Sequence, residues 1–370
     1  MKSILYGICG IGNGHTYRQL PTVEYLVKRH KVLIFAYGDS LAFFSRRFAD
    51  HPSVKVAQVA VPYYVGNTTG LDFAATEKRI KASGIDYVAI NAKALAEAEA
   101  YLGRPDVVIS DYEPVSAHYA YACDAPLVTI DQQSKYLAGE FPGILNGQTY
   151  ADEVARLRLF FPKADARIAC SFFKVSTTRE SEKVLIYPSV LRSEIVAIKR
   201  TAKRQTDAVL VYLTAQAGRK QALKNILKIF ATQPATQFQV FVHATEASST
   251  SFKNITIHHH GDPIFETLLT SCSAIIATAG HTLLSEAMYL GVPVLAMPLA
   301  LYEQQMNARA LQVNGFGMSA EQLTPKLLSE FLNNHDHFTA RIKSDKTVLV
   351  RGDGGQRIIK FLERKYLSKS

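Results

Sequence analysis

The sequence predicts an α/β protein of two Rossmann-like domains, each a parallel sheet covered by helices. Three observations lead there. Short apolar runs alternate with helix-patterned stretches, the mark of strand–helix repeats in a parallel sheet. The alternation fills both halves of the chain. The 370 residues suffice for two full cores, and 48% hydrophobic with 20% charged residues is a globular balance, not a disordered one.

In order along the chain, strand-like runs occupy 4–9, 32–37, 54–59, 107–110, 126–130, 166–172 and 184–187 in the first half. The second half offers 208–213, 238–242, 255–258, 274–277 and 294–297. Helical patterns fill the gaps, for example 19–28, 76–102 and 223–231. We place a first domain at 1–187, a linker at 188–206, a second domain at 207–352 and a terminal helix at 353–370. The boundary rests on Pro188, which follows a strand-like run, and on the basic stretch 199–204. The last helix is amphipathic, with Ile358, Ile359 and Leu362 on one side.

A net charge of +10 suits nucleotides, anionic lipid headgroups or nucleic acid, and equally an ordinary solvated basic surface. No nucleic-acid recognition motif accompanies it, so none is expected as a partner. Cys9, Cys123, Cys170 and Cys272 lie in or beside apolar runs without a CxxC pair, which reads as free thiols in a reducing compartment. The first apolar run is interrupted by Gly10, Gly12, Asn13, Gly14 and His15, as a strand and turn would be, unlike a signal peptide. No run reaches the roughly 20 apolar residues of a membrane span. A soluble cytoplasmic protein is expected, with peripheral contact at the inner membrane face left open.

The chemistry concentrates after the run 274–277. It stops at Thr278, Ala279 and Gly280, and a helix opens at Thr282. A helix start offers unpaired N–H groups and the positive end of the macrodipole, which suits a phosphate. Thr282, Ser285 and Glu286 fall on one face; Leu283, Ala287 and Leu290 fall on another. A carboxylate one turn inside such a helix can accept hydrogen bonds from ribose hydroxyls. The segment reads as a nucleoside-diphosphate site with Glu286 as ribose clamp. The loop from Gly10 to Thr16 approximates a dinucleotide fingerprint, with Asp39 as a ribose acid. His15 stands at the third glycine position, however, and spoils the packing that NAD or FAD binding needs. Asp111 and Glu113 end a strand, where α/β proteins place ligands, although Asp111 alone also reads as a helix N-cap. Asp131 and Gln132 end the next strand in the same way.

The stretch 279–317, with its small-residue turn, Ser285-Glu286-Ala287, Gly291-Val292-Pro293, Pro298 and Glu303-Gln304 before Asn307-Ala308, resembles the donor-binding half of GT-B glycosyltransferases. The nearest likeness is the UDP-glycosyltransferase and peptidoglycan N-acetylglucosaminyltransferase branch, in a bacterial and archaeal subgroup whose interdomain segment resembles 187–192. The resemblance implies a GT-B fold with a central cleft and a terminal helix crossing back onto the first domain. It implies an inverting transfer from a nucleotide sugar, UDP-linked, to an acceptor hydroxyl on a glycan, a lipid-linked molecule or a small molecule. His15 would be the general base, a role its pKa suits. Helix capping or phosphate binding are the other uses of a histidine there. Asp111 would orient it, with Glu113 sharing or replacing that role. Gly280, His281 and Thr282 would contact the diphosphate, Ser285 would belong to the same donor-binding set, Glu286 would clamp the ribose, and Glu303 and Gln304 would hold the sugar. His260 and Ile264 would touch the base. Gly12, Asn13, Gly14, Asp131 and Gln132 would face the acceptor.

No cofactor or metal is expected. The chain has no convincing paired-acid metal motif, and His258, His259 and His260 alternate sides along an extended chain, so they cannot converge on one ion. The helix dipole and hydroxyls would then stabilise the leaving diphosphate. The absence of Trp departs from plant enzymes and favours a bacterial type. Phe44 and Phe48 beside Arg46 and Arg47 form either a membrane-facing patch or a helix with a buried aromatic side. The polar, aromatic loop 63–70 would border the acceptor. The alternatives are a non-hydrolysing sugar-nucleotide epimerase and a non-catalytic nucleotide-sugar-binding subunit.

Overall fold

A computed structural model describes residues 1–179, 182–197, 208–214, 220–246 and 249–368. The basic stretch 199–204 lies outside them. The first half contributes strands β1 (Ser3–Ile8), β2 (Lys31–Ala36), β3 (Val54–Gln58), β6 (Val107–Asp111), β7 (Leu127–Asp131), β10 (Ala166–Cys170) and β11 (Val184–Tyr187). Two short hairpins interrupt the series: β4 (Gly66–Asn67) with β5 (Gly70–Leu71), and β8 (Ile144–Leu145) with β9 (Gln148–Thr149). The second half contributes β12 (Val209–Tyr212), β13 (Phe238–Val242), β14 (Ile255–His259), β15 (Ala274–Ala277), β16 (Val294–Ala296) and β17 (Gly317–Ser319).

These strands form a seven-stranded sheet, β11-β10-β7-β6-β1-β2-β3, and a six-stranded sheet, β14-β13-β12-β15-β16-β17. Every pairing in both is parallel. Side chains of a strand alternate between faces. Ile4, Tyr6 and Ile8 therefore join one apolar cluster, with Val23 of helix α1 (Asn13–Val27) and Phe44 of α2 (Gly38–Arg47). Leu5, Leu33 and Phe35 join another, with Ala98 of α4 (Tyr87–Leu102) and Ala117 of α5 (Pro114–Ala122). Full burial of each large aliphatic or aromatic side chain contributes about 1.5–3 kcal/mol.

The chain crosses between halves more than once. Phe172 and Phe173, just past β10, pack in the apolar cluster of the second sheet. Ile358, Phe361 and Leu362 of α14 (Gly354–Leu362) pack with Ile4 and Val23 in the first. Gly354 permits that return, because a Cβ there would lie 1.9 Å from the Pro188 carbonyl oxygen.

Several local expectations change. The single helix expected over 76–102 is two, α3 (Phe73–Ser83) and α4. Gly84 takes a left-handed φ of 64° to end α3, and Asp86 caps α4 through the Ala89 N–H. The hairpins and β17 carry too few residues for a period to be read. Part of the loop 63–70 forms the β4–β5 hairpin. Phe44 and Phe48 are buried while Arg46 and Arg47 face outward, so α2 is a helix with a buried aromatic side. The four cysteines are free thiols. Among the described residues, no helix is long and apolar enough to cross a membrane.

Candidate active site

A cleft of about 870 Å³ lies where the C-terminal ends of the two sheets meet, lined from both halves of the chain. On the first side, β1 ends at Ile8 and Gly12, at φ 72°, starts α1. Asn13 opens that helix, and its side chain lies outside the described structure. Gly12 and Gly14 line the cleft. His15 and Arg18, one turn apart, share a face of α1. The neighbouring β6 delivers Asp111 opposite Ile8.

These three side chains form one unit. His15 Nδ1 lies 3.1 Å from Asp111 Oδ2. Arg18 Nη2 donates to Oδ1 at 2.8 Å and Oδ2 at 3.0 Å, and lies 2.7 Å from His15 Nδ1. Asp111 is wholly buried. Burial pushes its carboxyl up, but Arg18 and His15 hold it below its ordinary value. Burial likewise pushes the His15 imidazole down; Cys9 and Asp111 outweigh that, Arg18 opposes them, and the imidazole stands at about 10.

Glu113 does not share this task. Tyr112 takes a left-handed φ of 57°, unusual for a bulky residue, and reverses the chain after Asp111. Glu113 is turned away from the cleft onto the start of α5, accepting from Val115 N at 2.6 Å and Ser116 N at 2.9 Å. Gly7 leaves room for it, since a Cβ there would lie 2.3 Å from Glu113 Oε2. The N-cap role belongs to Glu113, not Asp111. Asp131 is also redirected: its oxygens accept from Ser134 N at 2.6 Å and Ser134 Oγ at 2.7 Å, and it does not line the cleft. Gln132 does line it, and accepts from the buried Lys135 Nζ at 3.0 Å. Burial lowers the Lys135 ammonium to about 8, with Glu303 acting against that shift.

On the second side, β15 ends at Ala277 and Gly280 caps α11 (His281–Leu290), one residue earlier than expected. Gly280, His281, Thr282 and Glu286 line the cleft. Thr282 Oγ1 donates across it to the Gly14 carbonyl at 3.2 Å. His281 is buried against Phe172, and burial drives its imidazole well below the ordinary value. Ser285 does not line the cleft: it is buried, with Oγ 2.8 Å from Ser189 Oγ and 2.7 Å from the His281 carbonyl. Glu286 is not a free clamp. Both its oxygens accept from Arg192, Nε to Oε1 and Nη2 to Oε2, each at 2.7 Å. Arg192 also donates to Glu266 at 2.7 Å.

Glu303 and Gln304 line the cleft from α12 (Tyr302–Val313). Asn307 is buried within that helix and donates to the Ala279 carbonyl at 2.9 Å, holding the turn before α11. At the far end His260 stacks on Tyr212, ring centroids 4.4 Å apart at 9°, with Phe265 edge-on to Tyr212. Ile264 is exposed and does not line the cleft; its neighbour Phe265 does. His258 stacks on Phe241 and His260 on Tyr212, so the histidine run diverges. Among the described residues, no cluster of three or more His, Cys, Asp or Glu side chains could hold a metal ion.

Arg18, Arg192, Tyr212 and Phe265 line the cleft and were missed by the sequence reading, as was Lys135, which supports Gln132 from behind. Arg18 was accessible through its helical spacing from His15, and Tyr212 through its place at the end of a parallel strand. Arg192 had no local mark, because its partners Glu266 and Glu286 are distant in sequence.

No curated sequence matches this chain. Solved structures resemble it over nearly its whole length. One is a kitacinnamycin glycotransferase, with TM-score 0.66, 14% identity and 99% of each chain covered. Another is Phytolacca americana UGT2 complexed with UDP-2fluoro-glucose and pterostilbene, with TM-score 0.64, 13% identity, and 99% of this chain and 100% of that one covered. A third is glycosyltransferase VinC in complex with dTDP, with TM-score 0.58, 17% identity and 98% of each chain covered. These likenesses identify the two-sheet arrangement as a GT-B fold. The model of the family described as Glycosyl transferase family 1 matches residues 2–335. The chain therefore belongs to glycosyl transferase family 1 and is a glycosyltransferase.

Proposed function

We propose that the enzyme transfers a sugar, with inversion and without a metal ion, from a UDP-linked donor to an acceptor hydroxyl. The observation that carries this reading is the meeting of the His15–Asp111 pair and the N-terminus of α11 across one cleft, joined by the bond from Thr282 to Gly14. In this scheme His15 takes the acceptor proton as the acceptor oxygen bonds to the anomeric carbon. The Asp111 carboxylate balances the positive charge that develops on the ring. The bond from that carbon to the diphosphate breaks on the opposite face, and the diphosphate leaves with the electron pair. The N-terminal N–H groups of α11 stabilise that charge in place of a divalent cation, and the Thr282 hydroxyl joins them by exchanging its bond to Gly14 for one to the diphosphate.

Glu286, oriented by Arg192, still has a lone pair on each oxygen for a ribose hydroxyl. That arrangement favours ribose over deoxyribose, hence UDP over dTDP. Tyr212, His260 and Phe265 supply the flat surface for the base, and Glu303 and Gln304 the polar contacts for the sugar. Ile11, exposed at the cleft, offers the acceptor an apolar contact.

The test is an acceptor screen with UDP-sugars and dTDP-sugars on wild type and His15→Ala, with excess chelator, reading the anomeric configuration of the product by NMR. Inverted product from UDP-sugar, unaffected by chelator and lost in His15→Ala with donor binding kept, is expected. Retained configuration, chelator sensitivity or full activity of the variant each overturns the corresponding part. Conversion of the donor sugar without any acceptor would replace transfer by epimerisation.

A further inference from the structure

Resting on the reading of His15 as the base, we propose that Arg18 is a positioning residue that divides Asp111 between itself and His15, keeping the imidazole able to shed its proton. A histidine paired with a buried carboxylate alone would feel the whole negative charge. Here one guanidinium nitrogen bonds both carboxylate oxygens at 2.8 and 3.0 Å, nearer than the 3.1 Å of His15. A guanidinium stays charged at any working pH. The same nitrogen lies 2.7 Å from His15 Nδ1, so protonating the ring sets a second cation against it, whichever ring nitrogen carries the proton.

The surroundings reinforce this sign. Arg18 is buried, so water screens little of the repulsion. Lys135 and His281 face it from the other elements of the cleft and add no negative charge. Asp131 faces it too, but its oxygens are held by Ser134. Cys9 and Asp111 draw the His15 proton in, and Arg18 works against that pull. Cys170 and Tyr6 lie within the field of Arg18 and carry no charge when protonated. The Arg18 Nε has no hydrogen-bond partner, so the side chain is held through its Asp111 end.

The experiment is a histidine NMR titration of the full-length protein without substrate, for wild type, Arg18→Met and Arg18→Lys, beside the pH profile of kcat/KM. In Arg18→Met the His15 midpoint should rise by about one unit or more, roughly a tenfold gain in proton affinity. The acidic limb of the rate profile should follow it. Arg18→Lys keeps the charge and should stay near wild type. A midpoint that stays or falls in a natively folded Arg18→Met protein overturns the proposal. If Arg18→Met does not fold, Arg18→Gln replaces it, and identical midpoints for Arg18→Gln and Arg18→Lys overturn it. A shifted midpoint with an unmoved rate limb supports the tuning and removes His15 from the reaction, so the two readings fail separately.

Discussion

The two walls of the cleft are built alike and used differently. Each is a strand, a glycine-containing turn and a helix whose N-terminus faces the cleft: β1 to α1 at Gly12, and β15 to α11 at Gly280. Each helix also presents a polar pair: His15 with Arg18 on α1, Thr282 with Glu286 on α11. The difference lies in what the neighbours deliver. On the α1 side two basic groups share one carboxylate, so the charge there moves when a proton moves. On the α11 side one arginine is shared by two carboxylates, Glu286 and Glu266, and the group is held rather than poised. The same local architecture thus yields proton chemistry on one wall and ligand holding on the other. Tertiary partners make that division, and the turns do not.

The contrast can be broken most sharply at Asp111. Asp111→Asn should lower kcat/KM by about two to four orders of magnitude with donor affinity nearly unchanged, as calorimetry of UDP binding beside steady-state rates would show. Equal losses in binding and rate would make the α1 wall a holding site as well. Next in size is Glu286→Ala, expected to weaken UDP binding about 10- to 100-fold while sparing dTDP more, since a charge-assisted hydrogen bond contributes about 1.5–3 kcal/mol. Undiminished UDP binding in that variant would remove Glu286 from the donor site.

The pH dependence follows from the α1 wall. His15 acts only when neutral, and its pKa stands at about 10, so kcat/KM should climb through the alkaline range towards that value. A flat profile between pH 6 and 9 would contradict the base role. Glu113 sharpens the comparison from the structural side. Glu113→Ala should cost about 1–2 kcal/mol of stability in denaturant titrations through the lost cap, with kcat changed less than about twofold. Burial, opposed by the bonds from Ser116 and Val115, raises the Glu113 carboxyl to about 7 from an ordinary 4.5. For an acid shifted upward, the stabilisation is complete below about 4.5 and is lost as pH rises through about 7. Stability of the wild type should therefore fall across that window, and Glu113→Gln should flatten the fall. Smallest is Thr282→Val, which removes the hydroxyl that bonds Gly14 and serves the diphosphate, and should raise the donor KM by a few-fold.

Much of this was legible along the chain. Both sheets follow from runs such as 107–110 and 274–277, because a strand buried on both faces must be continuously apolar. The GT-B likeness was carried by 279–308, where the phosphate-binding turn, the acid and the acid–glutamine pair lie close in sequence. Asp111 was marked by its place at a strand end, and His15 by the GT-B likeness of its glycine-rich loop. The misassignments have local causes that the apolar pattern does not record. Asp131, Ser285 and Ile264 each sit next to a cleft residue, and a shift of one position turns a side chain to another face, while Glu113 is turned aside by the left-handed Tyr112.

By itself, then, the sequence determined most of the strands of both sheets, that there are two parallel sheets, and which turns can approach a phosphate. Those properties depend on apolar period and on glycine, which are local. Only the tertiary structure decided that Tyr112 would turn Glu113 away from Asp111, that Arg18 would share the carboxylate with His15, and that Arg192 would reach Glu286 across 94 positions of chain. Charge pairing is a short-range interaction in space between groups distant in sequence, and no local pattern records it.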